Sequence, residues 1–285
     1  MSLFTAIDLS KLPVPSFLET PDAEVILARL TDSFLAAYPD YDASTLESEP
    51  IQKLLELAAY NETLLRQWII DQQKEVMLAF ASGDGLDQIA ARMSVSRLDG
   101  ESDDSFRSRF LLSMEALSVA GPTGAYLYHA KSASGLVKDV HTASPVPGQV
   151  LVTILSTEGD GTASADLLAT VKTALSADDV RPLTDQVLVQ SAEIVPYTIA
   201  ASLVILGGVS AQTVLDAAQA SAQAYADSAH ALGTGATIGG LIAALAVSGV
   251  HDVVLSSPVA TVGGGSSQAA YCTGISLSHT ILGGG

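Results

Sequence analysis

Basic residues run out two thirds of the way along this chain. All 13 Lys and Arg lie between Lys11 and Arg181, against 31 acidic residues spread over 285, so the formal charge is -18. From Pro182 onward only Asp185, Glu193, Asp216, Asp227 and Asp252 carry charge. Such a balance argues against attraction to nucleic acid or anionic lipid. It also suggests that much of the last hundred residues is covered by something else, or is a tightly turned sheet rich in Ser and Thr. A single cysteine, Cys272, excludes an intrachain disulfide and a cysteine zinc cluster. Aromatics make up 5% of the chain, and only Tyr271 falls in the last fifty residues. That is a poor supply for a carbohydrate-binding or adhesive module, which wants several exposed rings. The start lacks a basic stretch followed by an apolar run, so no secretion signal is expected. Residues 231–250 contain no Asp, Glu, Lys or Arg. Their apolarity is mostly Ala and Gly, which predicts a buried helix leading into a strand rather than a membrane span.

What is present reads as a multidomain α+β protein, with 48% apolar content to fill its cores. An extended arm is expected over 1–19, where Pro13 and Pro15 sit in IDLSKLPVPSFL. A helical assembly domain is expected over 20–120. Its first helix is predicted to start at Thr20-Pro21-Asp22. A second, long helix runs from the Ser44/Glu47 capping box, or nearer Glu49, to about Phe80. Leu54, Ala58, Leu65, Trp68 and Ile69 form an apolar stripe on it, and Leu55, Leu57 and Leu64 widen that stripe beyond what one neighbour would cover. These are the candidate interface residues, and their partners are expected to come from other chains. Shorter helices follow at GDGLDQIAARMSV and after Ser102, the latter with Phe106, Phe110, Leu111 and Met114 buried. Arg107 and Arg109 lie near Glu101, Asp103 and Asp104, and are read as local ion pairs holding a helix corner.

Two small α+β domains are expected at 121–192 and 193–285, the second with a Gly-rich C-terminal segment. TGAYLYHAKSA leads into SGLVKDVHTASPVP, and GATIGGLIAALAV leads into SGVHDVVLSSPV. Each reads as helix, Ser-Gly, Val-x-Asp-Val strand, then Ser-Pro-Val, which suggests a degenerate repeat. Predicted elements are helices at 123–133, 164–176, 210–228 and 236–247. Strands are predicted at 136–143, 149–156, 186–191, 193–206 and 250–256, with a last one in AYCTGISLSHTI. Gly121 and Gly124, in the Gly/Pro corner at 119–124, are the candidate hinge.

No catalytic, cofactor-binding or metal-binding residues emerge. EGDGTASAD at 158–166 lacks both EF-hand spacing and a P-loop Gly-Lys-Ser/Thr, and reads as a turn with Ser164 capping a helix. His129, His141, His230, His251 and His279 show no metal-ligand spacing. A hydrolase built on Asp160, Asp166 or His141 is the weakest alternative. Cys272 reads as a small buried strand residue.

Several runs do carry a resemblance: IDLSKLPVP at 7–15, LESEP at 46–50, LLRQWI at 64–69 and MLAFASGDGLDQIAARMSV at 77–95. Further runs are ESDDSFRSRF at 101–110, GPTGAY at 121–126, ADDVRPLTDQVLVQSAEIVPYTI at 177–199 and SGVHDVVLSSP at 248–258. Over nearly its whole length the chain resembles the baseplate J family, wedge components of contractile phage tails and tailocins. The resemblance implies a structural virion protein of the tail baseplate, not an enzyme, assembled in the host cytoplasm. It implies as partners a second copy of itself, an I-like wedge protein, a lysozyme-like wedge protein leading to the sheath, and the hub. It also implies that the N-terminal helices join a trimeric wedge bundle, while the C-terminal α+β region meets a neighbouring copy.

Overall fold

A computed structural model describes residues 9–13, 15, 20–41, 50–117, 123–177, 180–182 and 184–282. Eight α-helices and six strands are present among them. The chain divides into two compact units, parting between Ser96 and Arg97.

The first unit is helical. Helix α1 (Ala23–Ala37) is capped by Asp22, whose carboxylate accepts from the amides of Glu24 and Val25. The expected start at Thr20 is therefore two residues early, because a carboxylate caps more strongly than a hydroxyl placed before a proline. Helix α2 (Pro50–Glu75) opens with proline in its first turn, where a missing N–H costs nothing. The capping box at Ser44/Glu47 lies outside the described residues, as does most of the 1–19 arm apart from a 3₁₀ turn at Leu9–Lys11. At 26 residues α2 is about 39 Å long. It stops short of Phe80 where the chain turns at 76–80, and the Glu75 carboxylate accepts from the amide and hydroxyl of Ser82. Helix α3 (Gly83–Ala91) then buries Leu86 and Ala90. Across the described residues of this unit the buried apolar side chains are few: Ile26, Ala59, Ile70, Ala81, Leu86, Ala90 and Val95.

The second unit begins with α4 (Asp103–Leu112), whose N-cap Ser102 accepts from Ser105 N as its spacing predicted. Its inward face is Phe106, Arg109 and Leu112, while Met114, expected inside, is 58% exposed. Phe110 and Leu111, also expected inside, are half-buried, and helical spacing puts Met114 about 140° from the centre of the Phe106/Arg109/Leu112 face, so it points away before the 3₁₀ turn at Glu115–Leu117 begins.

Two three-stranded sheets follow. In the first, β1 (Val137–Ala143) runs antiparallel to β2 (Gln149–Ser156), and β3 (Gln186–Ser191) runs parallel on the other side of β2. Helices α5 (Thr123–Ala133) and α6 (Ala165–Leu175) supply its core through Tyr126, Ala130, Leu167, Val171 and Leu175. In the second, β4 (Glu193–Ile205) is central, β5 (Val250–Ser257) antiparallel and β6 (Gln268–Ile281) parallel. Helix α7 (Ala211–Ala229) lays Ala218, Ala222, Ala226 and Ala229 against this sheet beside α8 (Ile238–Leu245), small side chains that let the backbone approach closely. Residues 231–250 thus hold an eight-residue helix leading into a strand, as expected, but the helix is amphipathic and not fully buried: Leu241 and Leu245 face the core while Ile242 is 38% exposed. No helix among the described residues is long and apolar enough to cross a membrane.

The repeated corner occupies equivalent places, as α5 into β1 and α8 into β5. Both sheets have a central strand followed by a helix, an antiparallel edge preceded by a helix, and a parallel edge. The chain order differs, however. The first sheet is entered at its antiparallel edge and the second at its centre.

Candidate assembly surfaces

Helix α2 is apolar on two opposite sides. Ala59 and Ile70 face inward, toward the side on which α1 packs. Arg29 of α1 and Arg66 of α2 both pair with Glu62, and the Arg66 hydrogen bonds hold that carboxyl below the usual carboxylate range. On the far side Leu54, Leu65, Trp68 and Ile69 are 64%, 56%, 60% and 41% exposed, and Ala58 is exposed among them. Leu57 and Leu64 extend the strip. Helical spacing places these residues within one broad face, about 140° wide at 100° per residue. A scattered exposed leucine needs no explanation, but six large apolar side chains on one helix face form a contiguous patch of the kind that marks an interface.

The corner where the second unit begins is tied by charge. Arg109 and Glu101 are each 4% exposed and meet in a two-pronged pair, Nε to Oε1 at 2.8 Å and Nη2 to Oε2 at 2.7 Å. The same carboxylate accepts from Leu98 N at 3.0 Å. Arg97 pairs with Asp103 at 2.7 Å, and the guanidiniums of Arg97 and Arg109 lie 4.7 and 5.2 Å from the Phe106 ring centre. Arg107 pairs with Asp104. These contacts are the helix-corner ion pairs expected of this stretch.

Of the candidate hinge residues, Gly121 lies outside the described residues. Gly124 is buried in α5, and a Cβ there would come within 2.5–2.7 Å of the Glu115 side chain. Alanine at this position would therefore disturb packing as well as any hinge.

The two sheets are closely joined. Leu155, Ala192 and Ala269 form a small buried cluster between them, with Ile194 and Leu232 packed on it. Asp139 of β1 accepts from Leu232 N at 3.0 Å, and Ala192 N donates to Ile154 O at 2.8 Å. His230, at the end of α7, donates from Nδ1 to Ala270 O at 2.8 Å, the carbonyl fixing that tautomer. Gly161 sits directly over this imidazole. Its φ is +96°, and a Cβ there would lie 2.6 Å from Leu155 Cδ1 and 2.9 Å from His230 Nε2, so only glycine fits. Burial lowers the His230 pKa below the ordinary value, with Lys138 adding to the effect. A depressed histidine is neutral in the fold but takes up a proton in the unfolded chain. Its contribution is therefore complete above the unfolded value of about 6.5 and is lost progressively as pH falls from there through the lower folded pKa. Denaturation between pH 7.5 and 5.5 should show this slope, and His230→Gln should flatten it.

The residues weighed for chemistry are not gathered into a site. The Thr162 hydroxyl, and then its backbone N–H, donate to Asp160 and lower its pKa, within the turn bearing Gly159 and Gly161. Asp166 is exposed in the first turn of α6, which Ser164 caps through Leu167 N. His141 stands on β1 opposite Thr153. A cleft of about 160 Å³ is lined by Gln223, Ala226, Asp227, His230, Tyr271 and Cys272, and includes none of those three. Cys272, expected to be buried, is only half-buried at this cleft because β6 is an edge strand. Among the described residues no group of three or more His, Cys, Asp or Glu could hold a metal ion. The strongly exposed aromatic rings, Tyr38, Tyr60 and Trp68, lie in the helical unit and not on the sheets.

Two family models match the chain. Residues 47–103 match the baseplate J-like N-terminal domain, and residues 118–191 match the baseplate J-like central domain. The chain is also 41% identical to baseplate protein J of Escherichia phage P2 over 288 aligned residues, covering 94% of this chain and 95% of that protein. The chain belongs to the baseplate J family. It is thus a structural protein of a phage virion, located in the tail baseplate. In baseplate J terms, the N-terminal domain holds α2, α3 and the Glu101 corner, while the central domain holds α5 to β3. The second sheet lies beyond both models, but the alignment to the P2 protein spans it.

Proposed function

We propose that this chain is a wedge component of a contractile tail or tailocin, and that it docks through the outer face of α2. Two copies join one I-like protein in each wedge, and the wedges close around the hub. A lysozyme-like wedge protein links them to the sheath, and the assembly passes the contact signal that starts contraction. The observation that carries this reading is α2 itself. Its unit has a sparse core of its own, yet it exposes Leu54, Leu65, Trp68 and Ile69 along a helix about 39 Å long. Helices with two apolar sides are stable when both are covered, as in a bundle.

Rotation during triggering is better placed at the Ser96/Arg97 boundary than at the 119–124 corner. Helices α4 and α5 pack on each other across that corner, with Arg109 Nη1 reaching Ser132 Oγ at 3.4 Å. A rotation there would break these contacts, whereas one at 96/97 moves each compact unit whole.

Trp68 is the single tryptophan and supplies its own probe. With 5-fluorotryptophan in this chain alone, mixing with unlabelled wedge proteins should shift its fluorine resonance and remove its access to iodide quenching. An unchanged resonance in an assembled wedge would refute docking through α2.

A further inference from the structure

The packing of α7 on β6 leaves a cleft at the end of the helix, where Gln223, Asp227 and His230 meet Tyr271 and Cys272. At about 160 Å³ it is smaller than the roughly 300–1,000 Å³ of a small-molecule site, and has the size of one side-chain end. Its lining holds one carboxylate and no Lys or Arg. Gln223 Nε2 donates to Asp227 Oδ1 at 2.8 Å, which leaves Asp227 Oδ2 and Gln223 Oε1 as acceptors. Tyr271 adds an aromatic ring, packed against His230 with 5.4 Å between ring centres. Beside Cys272 in the strand register stands Tyr197 of β4, which is 7% exposed and whose hydroxyl has no hydrogen-bond partner. Burial first, and then Cys272, Tyr225 and Asp227, push the pKa of that hydroxyl up to about 12.

The fold alone gives no reason for an acid here. Asp227 stands in the last turn of α7, where the helix dipole disfavours negative charge. All 13 Lys and Arg of the chain lie among the described residues, and none forms an ion pair with Asp227. Lys138 of β1 feels this carboxylate without pairing with it, and burial holds the lysine below its ordinary pKa. The acceptors of the cleft therefore stand ready for a donor that the chain itself does not supply.

We infer that this cleft receives an arginine side chain from a different protein of the wedge, its guanidinium donating to Asp227 and Gln223 and lying against Tyr271. Charge and shape select this occupant. An acidic end would be repelled by Asp227, and a neutral one would leave the carboxylate without a counter-charge. Arginine fits better than lysine because its planar fork meets two neighbouring acceptors at once and packs on an aromatic ring. A second copy of this chain has little to offer, since at least eight of its 13 bases are already paired with its own acids. The inference rests on the wedge reading above and adds to it the chemistry of one partner contact.

The chain's single cysteine lines the cleft, so the rate at which iodoacetamide alkylates Cys272, followed by peptide mass, reads its occupancy. On the free chain, ethylguanidinium chloride at about 0.1 M should slow this reaction at least twofold. Ethylurea, its neutral counterpart, and sodium chloride at the same concentration should not. In the co-expressed wedge the reaction should be at least tenfold slower than in the free chain. Asp227→Asn should abolish the ethylguanidinium effect and return Cys272, in the presence of the partners, to within twofold of the free rate. It should do so without lowering the melting temperature, because the end of α7 gains by losing the charge. Equal protection by ethylurea, or a wedge that forms with Cys272 reacting as it does in the free chain, would overturn the inference and leave the wedge reading standing. A wedge in which the Asp227→Asn chain keeps Cys272 protected would overturn it as well. If the wild-type proteins form no wedge, the wedge reading has failed and the inference falls with it.

Discussion

Replacing Glu101 with alanine should lower the stability of the second unit by about 3–5 kcal/mol, a drop of roughly 6–20 °C in its melting transition. The reason is not the strength of the pair in isolation. Arg109 is 4% exposed and cannot shed its charge, so removing Glu101 leaves a guanidinium buried without its carboxylate. The Leu98 amide loses its acceptor in the same change. Replacing both residues, as Glu101→Ala with Arg109→Met, should cost less than the sum of the single changes, because the stranded charge is then gone. Urea unfolding of the four chains in this cycle gives the coupling directly. Additive losses would mean that Phe106, and not the ion pair, holds the corner.

The second large effect belongs to assembly and not to folding. Trp68→Asp should weaken wedge formation by about 2 kcal/mol or more, roughly thirty-fold, because a large aromatic at the centre of an apolar strip is the usual seat of binding energy. The free chain should stay within about 0.5 kcal/mol of wild type, since the ring is 60% exposed. Ile70→Asp, two positions further along the same helix, is the control: Ile70 is buried, so that change should unfold the first unit. Affinity measured by titrating the labelled chain with its partners separates the two cases. Equal losses of stability at 68 and 70 would mean that the outer strip is covered within the chain.

Much of this was legible in the sequence, and the reasons are local. Helices at 123–133 and strands such as 186–191 fall where period and turn residues placed them, because Gly, Ser and β-branched runs leave few alternatives. The α2 stripe was visible as apolar residues at helical spacing, and its excess width reflects apolar side chains on two sides of the helix. Sequence could not show which side faces inward, since the buried Ala59 and Ile70 are outnumbered by the outer leucines. Met114 was misplaced because the apolar period was read through Phe106, Phe110 and Leu111, whereas the buried face runs through Phe106, Arg109 and Leu112 and leaves Met114 on the other side. Arg109 was recognised as one of a pair, but its burial comes from Glu101, eight residues earlier and outside its helix. The edge position of β6 was hidden altogether. Which strands lie at an edge depends on sheet order, and β6 joins β4 across more than sixty residues of intervening chain.

The central claim is that this chain is incomplete by itself and finished by partners. Light scattering gives the decisive number: the mass of the purified chain alone, then co-expressed with the neighbouring tail proteins of its phage. The expected result is a monomer or weak dimer alone, passing into a defined complex of two copies with one I-like protein. A monomer that keeps its mass in the presence of every tail protein, with Trp68 still exposed, would contradict the account.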